Sequence, residues 1–160
     1  MKILMVCLGN ICRSPMAEGI LKYKINKEGL SWQVDSAGTN GFHIGEAPHR
    51  LSQKVSLENG IDISHQRSRL FIPDDFDRFD KIYAMANNVI AEMKQISKEK
   101  FDRSKVDLLM NELTPGTNLD IIDPWYGPEA DYYQVFDLIE KACEALIKNH
   151  RQSRQLIPTL

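Results

Sequence analysis

A chain of 160 residues and 18.3 kDa fits one ordinary domain, and 42% apolar with 26% charged residues is a globular composition, not a disordered one. The formal net charge of −2 is balanced along the chain and provides no concentrated basic surface, so no nucleic-acid partner is expected. The longest apolar run, Ile3 to Leu8, falls far short of the roughly 18 residues of a membrane span, and no small-residue cleavage site follows it; no membrane association and a cytoplasmic location are expected.

Lys2 to Val6 reads as a buried strand, with turn chemistry beginning at Gly9-Asn10. Ser14-Pro15 supplies an N-cap and a pre-set first helical position, and Ile20, Leu21 and Ile25 continue a helical face until Gly29. Glu18 sits one residue too late for a capping box. A second strand, Trp32 to Ser36, ends in Ala37-Gly38. Pro48 begins another helix, with Leu51 and Val55 four apart, closed by Asn59-Gly60. Asp80 to Met85 is the third strand, Asn87 to Lys100 a helix, Val106 to Met110 a fourth short strand, and 114–127 a long loop broken by Pro115, Gly116 and Pro124. In the last helix Val135, Leu138, Ile139, Ala142 and Leu146 form one buried stripe. Residues 1–150 therefore read as a single α/β domain, and the polar ending from Arg151 to Leu160 as a mobile tail. Strands alternating with helices imply a mostly parallel sheet covered on both faces, whose ligands bind beyond the carboxyl ends of the strands. Cys7 lies at one such end.

The segment Cys7-Leu8-Gly9-Asn10-Ile11-Cys12-Arg13-Ser14 joins the first strand to the first helix. Its backbone N–H groups can curl into an anion-binding nest backed by the helix N-terminus, with phosphate or another oxyanion as the expected guest. Arg13 adds a planar fork of donors suited to a phosphoryl group, and Gly9 permits a tight turn. The same positive field, with a hydrogen bond from Ser14, favours a thiolate on Cys7 and makes it the candidate nucleophile toward phosphorus. A cysteine ending a buried strand is commonly just a small core residue, and Cys-x5-Arg alone is a weak motif. The strand before it, the Ser-Pro helix start after it and the glycine within favour the catalytic reading. Cys7, Cys12 and Cys143 have neither the even number of a disulfide framework nor the paired spacings of a zinc site, so no metal or other cofactor is expected.

Val6-Cys7-Leu8-Gly9-Asn10-Ile11-Cys12-Arg13-Ser14-Pro15 resembles the signature loop of the low-molecular-weight protein tyrosine phosphatases. Asp35-Ser36-Ala37-Gly38-Thr39, Gly60-Ile61 with Ser64-His65, Tyr83-Ala84-Met85 and Asp123-Pro124-Trp125-Tyr126-Gly127 follow in the family's order. The resemblance implies a three-layer, flavodoxin-like fold with a four-stranded parallel sheet flanked by helices on both faces. It also implies metal-free hydrolysis of phosphotyrosine in a protein substrate, of which a tyrosine kinase is one candidate. By the same resemblance Asp123 is the general acid and then base, and Asn10, Ser14, Ser36 and His65 form a polar network that holds the loop. Phe42, Trp125 and Tyr126 wall the substrate cleft, and Cys12 is a resolving thiol for an oxidised Cys7. Cys143, on the last helix, reads as packing.

Two rivals remain. Relatives that hydrolyse phosphoarginine typically carry Thr where this chain has Ile11, which favours the aromatic ester here. A phosphocysteine carrier of sugar transport has a similar strand-loop-helix site but does not need an Asp-Pro acid loop, so Asp123 discriminates against it. One departure from the family is that Met85 is followed by Ala86-Asn87, where Met-Asp is common.

Overall fold

The computed structural model describes residues 1–155. Four parallel strands, β1 (Lys2–Cys7), β2 (Gln33–Gly38), β3 (Lys81–Ala84) and β4 (Val106–Leu108), lie in the order β2-β1-β3-β4. The helices are α1 (Arg13–Lys27), α2 (Arg50–Glu58), α3 (Asp75–Arg78), α4 (Asn87–Ser97), α5 (Met110–Leu113) and α6 (Glu129–Gln155), so the fold is the expected three-layer α/β arrangement. Among the described residues no helix is long and apolar enough to cross a membrane.

The period-two alternation of β1 builds both cores. Ile3, Met5 and Cys7 face one layer, packed with Met16, Ile20 and Leu21 of α1 and Val135, Phe136 and Ile139 of α6. Leu4 and Val6 face the other, among Phe71, Phe76, Val89 and Met93. A central strand buried on both sides must be apolar at every position, and residues 3–7 are. The chain leaves β1 for β2 on one side and then crosses to β3 on the other, so the order reverses at β1. The crevice this opens beyond the strands' carboxyl ends is where the Cys7 loop sits.

Several boundaries differ from expectation for local reasons. α1 starts at Arg13 with Cys12 in the capping position, and Ser14 lies inside the helix because its hydroxyl is engaged by the loop. α2 starts at Arg50, two residues after Pro48, because the His49 ring Nδ1 accepts the Leu51 N–H and supplies the cap. β2 runs through Gly38, which pairs with Cys7 and donates its N–H to Arg69 O at 2.9 Å. β4 stops at Leu108, where the chain turns into α5. α4 ends at Ser97, and a 3-10 turn over Lys98–Lys100 completes the expected helix. The last helix continues through Gln155, so Arg151 to Gln155 are helical; the rest of the expected tail lies outside the described residues.

Candidate active site

The loop after β1 is shaped by its carbonyls. Cys7 O accepts from Thr39 N (3.0 Å), Leu8 O from Asn40 N (2.9 Å), Gly9 O from the Ser68 hydroxyl (3.1 Å) and Ile11 O from His49 N (2.7 Å). In a trans peptide the N–H points opposite the C=O, so carbonyls pinned outward leave the amides for the concave side. The first-turn N–H groups of α1 join them, because Cys12 gives no side-chain cap.

Asn10 carries the one strained backbone in this loop, with φ of 54° in the left-handed region, which asparagine tolerates better than most residues. Its side chain shows why the position is worth the strain. Nδ2 donates to Ser14 Oγ (2.8 Å) and Ser36 Oγ (2.9 Å), and Oδ1 accepts from Arg69 N (3.0 Å). Ser36 Oγ in turn donates to the buried Glu18 Oε2 at 2.5 Å. With Asn10 and Ser36 so committed, the Ser14 hydroxyl is free to donate to Cys7 Sγ, 3.0 Å away, and Asn10 N also points at that sulfur from 3.3 Å.

His65 does not belong to this network. The chain from 65 to 68 alternates outward and inward, so Gln66 and Ser68 are buried and His65 and Arg67 are exposed. Among the described residues His65 makes no hydrogen bond to the loop; Ser68 and Arg69 hold it instead. Neither these two nor Glu18 stood out in the sequence. Its place one residue late for a capping box is the signal Glu18 offered; its burial shows only in the fold.

Arg13 is buried, with Nη1 donating to Ile121 O (2.8 Å) and Nη2 lying 3.4 Å from Asp123 Oδ2. The segment bearing Asp123 is tied to the sheet by Ile121 N, which donates to Met85 O (2.8 Å). Asp120 Oδ1 accepts from Asn87 N (2.8 Å), so α4 is capped from outside although Ala86 occupies its capping position. Asp123 itself caps a 3-10 turn, Pro124–Tyr126, its Oδ1 accepting from Trp125 N at 3.1 Å. Cys7, Arg13 and Asp123 thus line one cleft of about 170 Å³, together with Leu8, Gly9, Ile11 and Cys12 from the loop. Asn10 and Ser14 stand behind the loop. Phe42 and Tyr126, 83% and 86% exposed, flank the mouth together with Trp125. Asn40 and His43 complete the lining.

Cys12 is buried with its sulfur 3.7 Å from the Tyr132 hydroxyl, and burial pushes its pKa up to about 12; Tyr132 is also raised, by burial and by that neighbour. Cys143 is wholly buried in the α6 core and likewise raised to about 12, in keeping with a packing role.

Gly38 is where β2 passes closest to the loop. A Cβ there would lie 2.8 Å from Leu8 O and 3.0 Å from Asn10 N. Those neighbours are backbone and cannot step aside without moving the cradle. Gly38→Ala is therefore expected to destabilise the fold by about 1–3 kcal/mol. Thermal unfolding should show a midpoint lower by several degrees, and titration should show weaker phosphate binding.

Four known relatives or families resemble this chain in sequence or in fold. The family model described as low molecular weight phosphotyrosine protein phosphatase matches residues 2–156. The human low molecular weight phosphotyrosine protein phosphatase is 35% identical over 149 residues, covering 91% of this chain and 93% of that protein. A protein tyrosine phosphatase from Entamoeba histolytica, solved with Hepes in its active site, superposes with a TM-score of 0.87 at 34% identity, covering 96% of this chain and 99% of that one. The arginine phosphatase YwlE of Bacillus subtilis, in a form with a phosphorylated active-site serine, also superposes at 0.87, with 29% identity and coverage of 98% and 100%.

Proposed function

The chain belongs to the low molecular weight phosphotyrosine protein phosphatase family, and from that premise we propose that it hydrolyses protein phosphotyrosine through a phosphocysteine on Cys7. The observation that carries the reading is the convergence of Cys7, Arg13 and Asp123, the last two more than a hundred residues apart in sequence, on one cleft floored by the amides that the outward-pinned carbonyls leave free.

In the first step the Cys7 thiolate attacks phosphorus; an S–P bond forms as the P–O bond to the phenol breaks, and the Asp123 carboxyl gives its proton to the departing oxygen. In the second, Asp123 takes a proton from water as that water attacks phosphocysteine, releasing inorganic phosphate and the thiolate. Arg13 and the amides of Leu8, Gly9, Ile11, Cys12 and Ser14 hold the equatorial oxygens throughout, where fixed donors stabilise charge without reorganising, while the Asn10 N–H, expected among them, is turned to Cys7 Sγ instead. The phosphorylated serine in the YwlE structure supports a covalent intermediate at the corresponding place in that protein. Cys12 is kept as the resolving thiol: it lines the same cleft as Cys7, and a disulfide between them would shield an oxidised Cys7 reversibly.

Aromatic side chains at the mouth support phosphotyrosine over phosphoarginine, since Trp125, Tyr126 and Phe42 can flank a flat ring. The test compares phosphotyrosine, phosphoserine and phosphoarginine peptides with wild type and Asp123→Asn. Phosphotyrosine is expected to be the fastest, with no change on adding a chelator. Asp123→Asn should lower kcat/KM for phosphotyrosine by about 10²–10⁴-fold, the usual worth of a general acid. Faster turnover of phosphoarginine would reassign the substrate, and an undiminished Asp123→Asn enzyme would remove the acid from the scheme.

A further inference from the structure

Trp125, whose backbone N–H donates to Asp123 Oδ1, has the imidazoles of two neighbouring residues packed against its indole. The His43 ring lies 5.4 Å from the indole, tilted by 55°, and the His49 ring lies 5.4 Å from it at 76°. His43 is at the exposed rim, its Nδ1 2.8 Å from Glu46 Oε2. His49 is placed quite differently. Its ring is stacked on Tyr132 of α6 at 5.2 Å and 19°, and its Nδ1 accepts the Leu51 N–H at 3.1 Å. Its backbone N–H holds Ile11 O at 2.7 Å. One residue therefore touches the cradle, the first turn of α2, α6 and the indole beside the acid.

We propose that His49 is a positioning residue for the acid loop: fixed by its cap and its stack, the imidazole supports the Trp125 indole and thereby keeps the Asp123 carboxyl beside the cradle. The proposal rests on the reading of Asp123 as general acid. Accepting from Leu51 requires Nδ1 to be unprotonated, so the ring is neutral with its proton on Nε2. Burial, reinforced by the adjacent Arg50, favours that same form. The ring cannot rotate to another tautomeric arrangement without uncapping α2, which fixes the face it offers to Trp125. Tyr132 stacks on the ring, and its hydroxyl lies 3.7 Å from Cys12 Sγ.

A group that places a proton donor matters in proportion to how badly the leaving oxygen needs the proton. Phenyl phosphate expels a phenolate of pKa near 10, whereas p-nitrophenolate departs readily without help. The experiment measures kcat/KM for both esters in wild type, His49→Asn, His49→Phe and Asp123→Asn. Asparagine is a good capping residue, so His49→Asn keeps α2 capped and removes only the ring. It is expected to lower kcat/KM for phenyl phosphate by about tenfold and for p-nitrophenyl phosphate by no more than about twofold. In a Trp32→Phe background, which leaves Trp125 as the one indole, its emission should shift to longer wavelength as the ring contact is lost. His49→Phe, which keeps a ring against Tyr132 and loses the cap, should melt earlier and lose less on phenyl phosphate than His49→Asn does.

Equal losses on both esters in His49→Asn, or none on either, would overturn the proposal if Asp123→Asn still discriminates between them. If Asp123→Asn does not discriminate, the failure belongs to the general-acid reading on which the proposal stands, and both fall.

Discussion

Cys7→Ala is expected to lower kcat/KM for phosphotyrosine by at least about 10⁴-fold while leaving the fold and the oxyanion cradle in place. The side chain is nearly inaccessible and small, and alanine removes a single sulfur from the carboxyl end of β1, so little packing is lost. What disappears is the atom that Ser14 Oγ and Asn10 N converge on. No other cysteine can substitute, since Cys12 is held as a neutral thiol by its burial and Cys143 lies in the α6 core. The check is a pair of measurements: turnover of a phosphotyrosyl peptide, and binding of inorganic phosphate by calorimetry. Lost turnover with retained binding is the expected outcome. Turnover near the parent rate would remove the phosphocysteine route.

Arg13→Ala is expected to cost about 10³-fold in kcat/KM, together with a marked loss of phosphate affinity. Removal of one fixed donor to a developing oxyanion typically costs about 10²–10³-fold, and a guanidinium presents two to a phosphoryl group. Lysine is a poor replacement because its point charge cannot reproduce the fork, so Arg13→Lys should recover little. Added guanidinium ion should partly rescue the alanine variant and not the lysine one. The substitution also has a structural cost. Ile121 O loses its donor in a buried place, worth about 1–3 kcal/mol, and Asp123 loses its ion-pair partner. Thermal unfolding should therefore fall with activity in Arg13→Ala, which sets it apart from Cys7→Ala, where only activity falls.

These two residues and the loop between them were legible because the signals are local. A strand ending in cysteine, a glycine turn and a Ser-Pro helix start occupy one short stretch of chain, and local sterics and capping act over that range. The alternation in β1 and the stripe on α6 are likewise written in neighbouring residues. Asp123 was readable only through its resemblance to the family. An Asp-Pro pair is an ordinary turn by itself, and it meets Arg13 because Ile121 is tied both to Met85, just past β3, and to Arg13.

The failures share one cause. Ser14 is not a cap because a partner on a distant strand, Ser36 through Asn10, claims its neighbourhood; His65 points outward because its neighbours Gln66 and Ser68 turn inward, where they donate to Pro15 O and Gly9 O. Glu18 and His49 carry no motif at all, and each acquires its place from what packs against it.

From the amino-acid sequence alone come the α/β class, the position of the loop after β1, and the placing of Cys7 and Arg13 within it. Periodicity, glycine and proline placement and capping chemistry act between near neighbours, and near neighbours are all a linear chain records. Only the tertiary structure decided which carbonyls are pinned outward, which side chains brace Asn10, and what holds the indole beside Asp123. Those contacts join residues tens to more than a hundred positions apart, and hydrogen-bond direction and ring packing between such residues exist only once the layers have closed on the sheet.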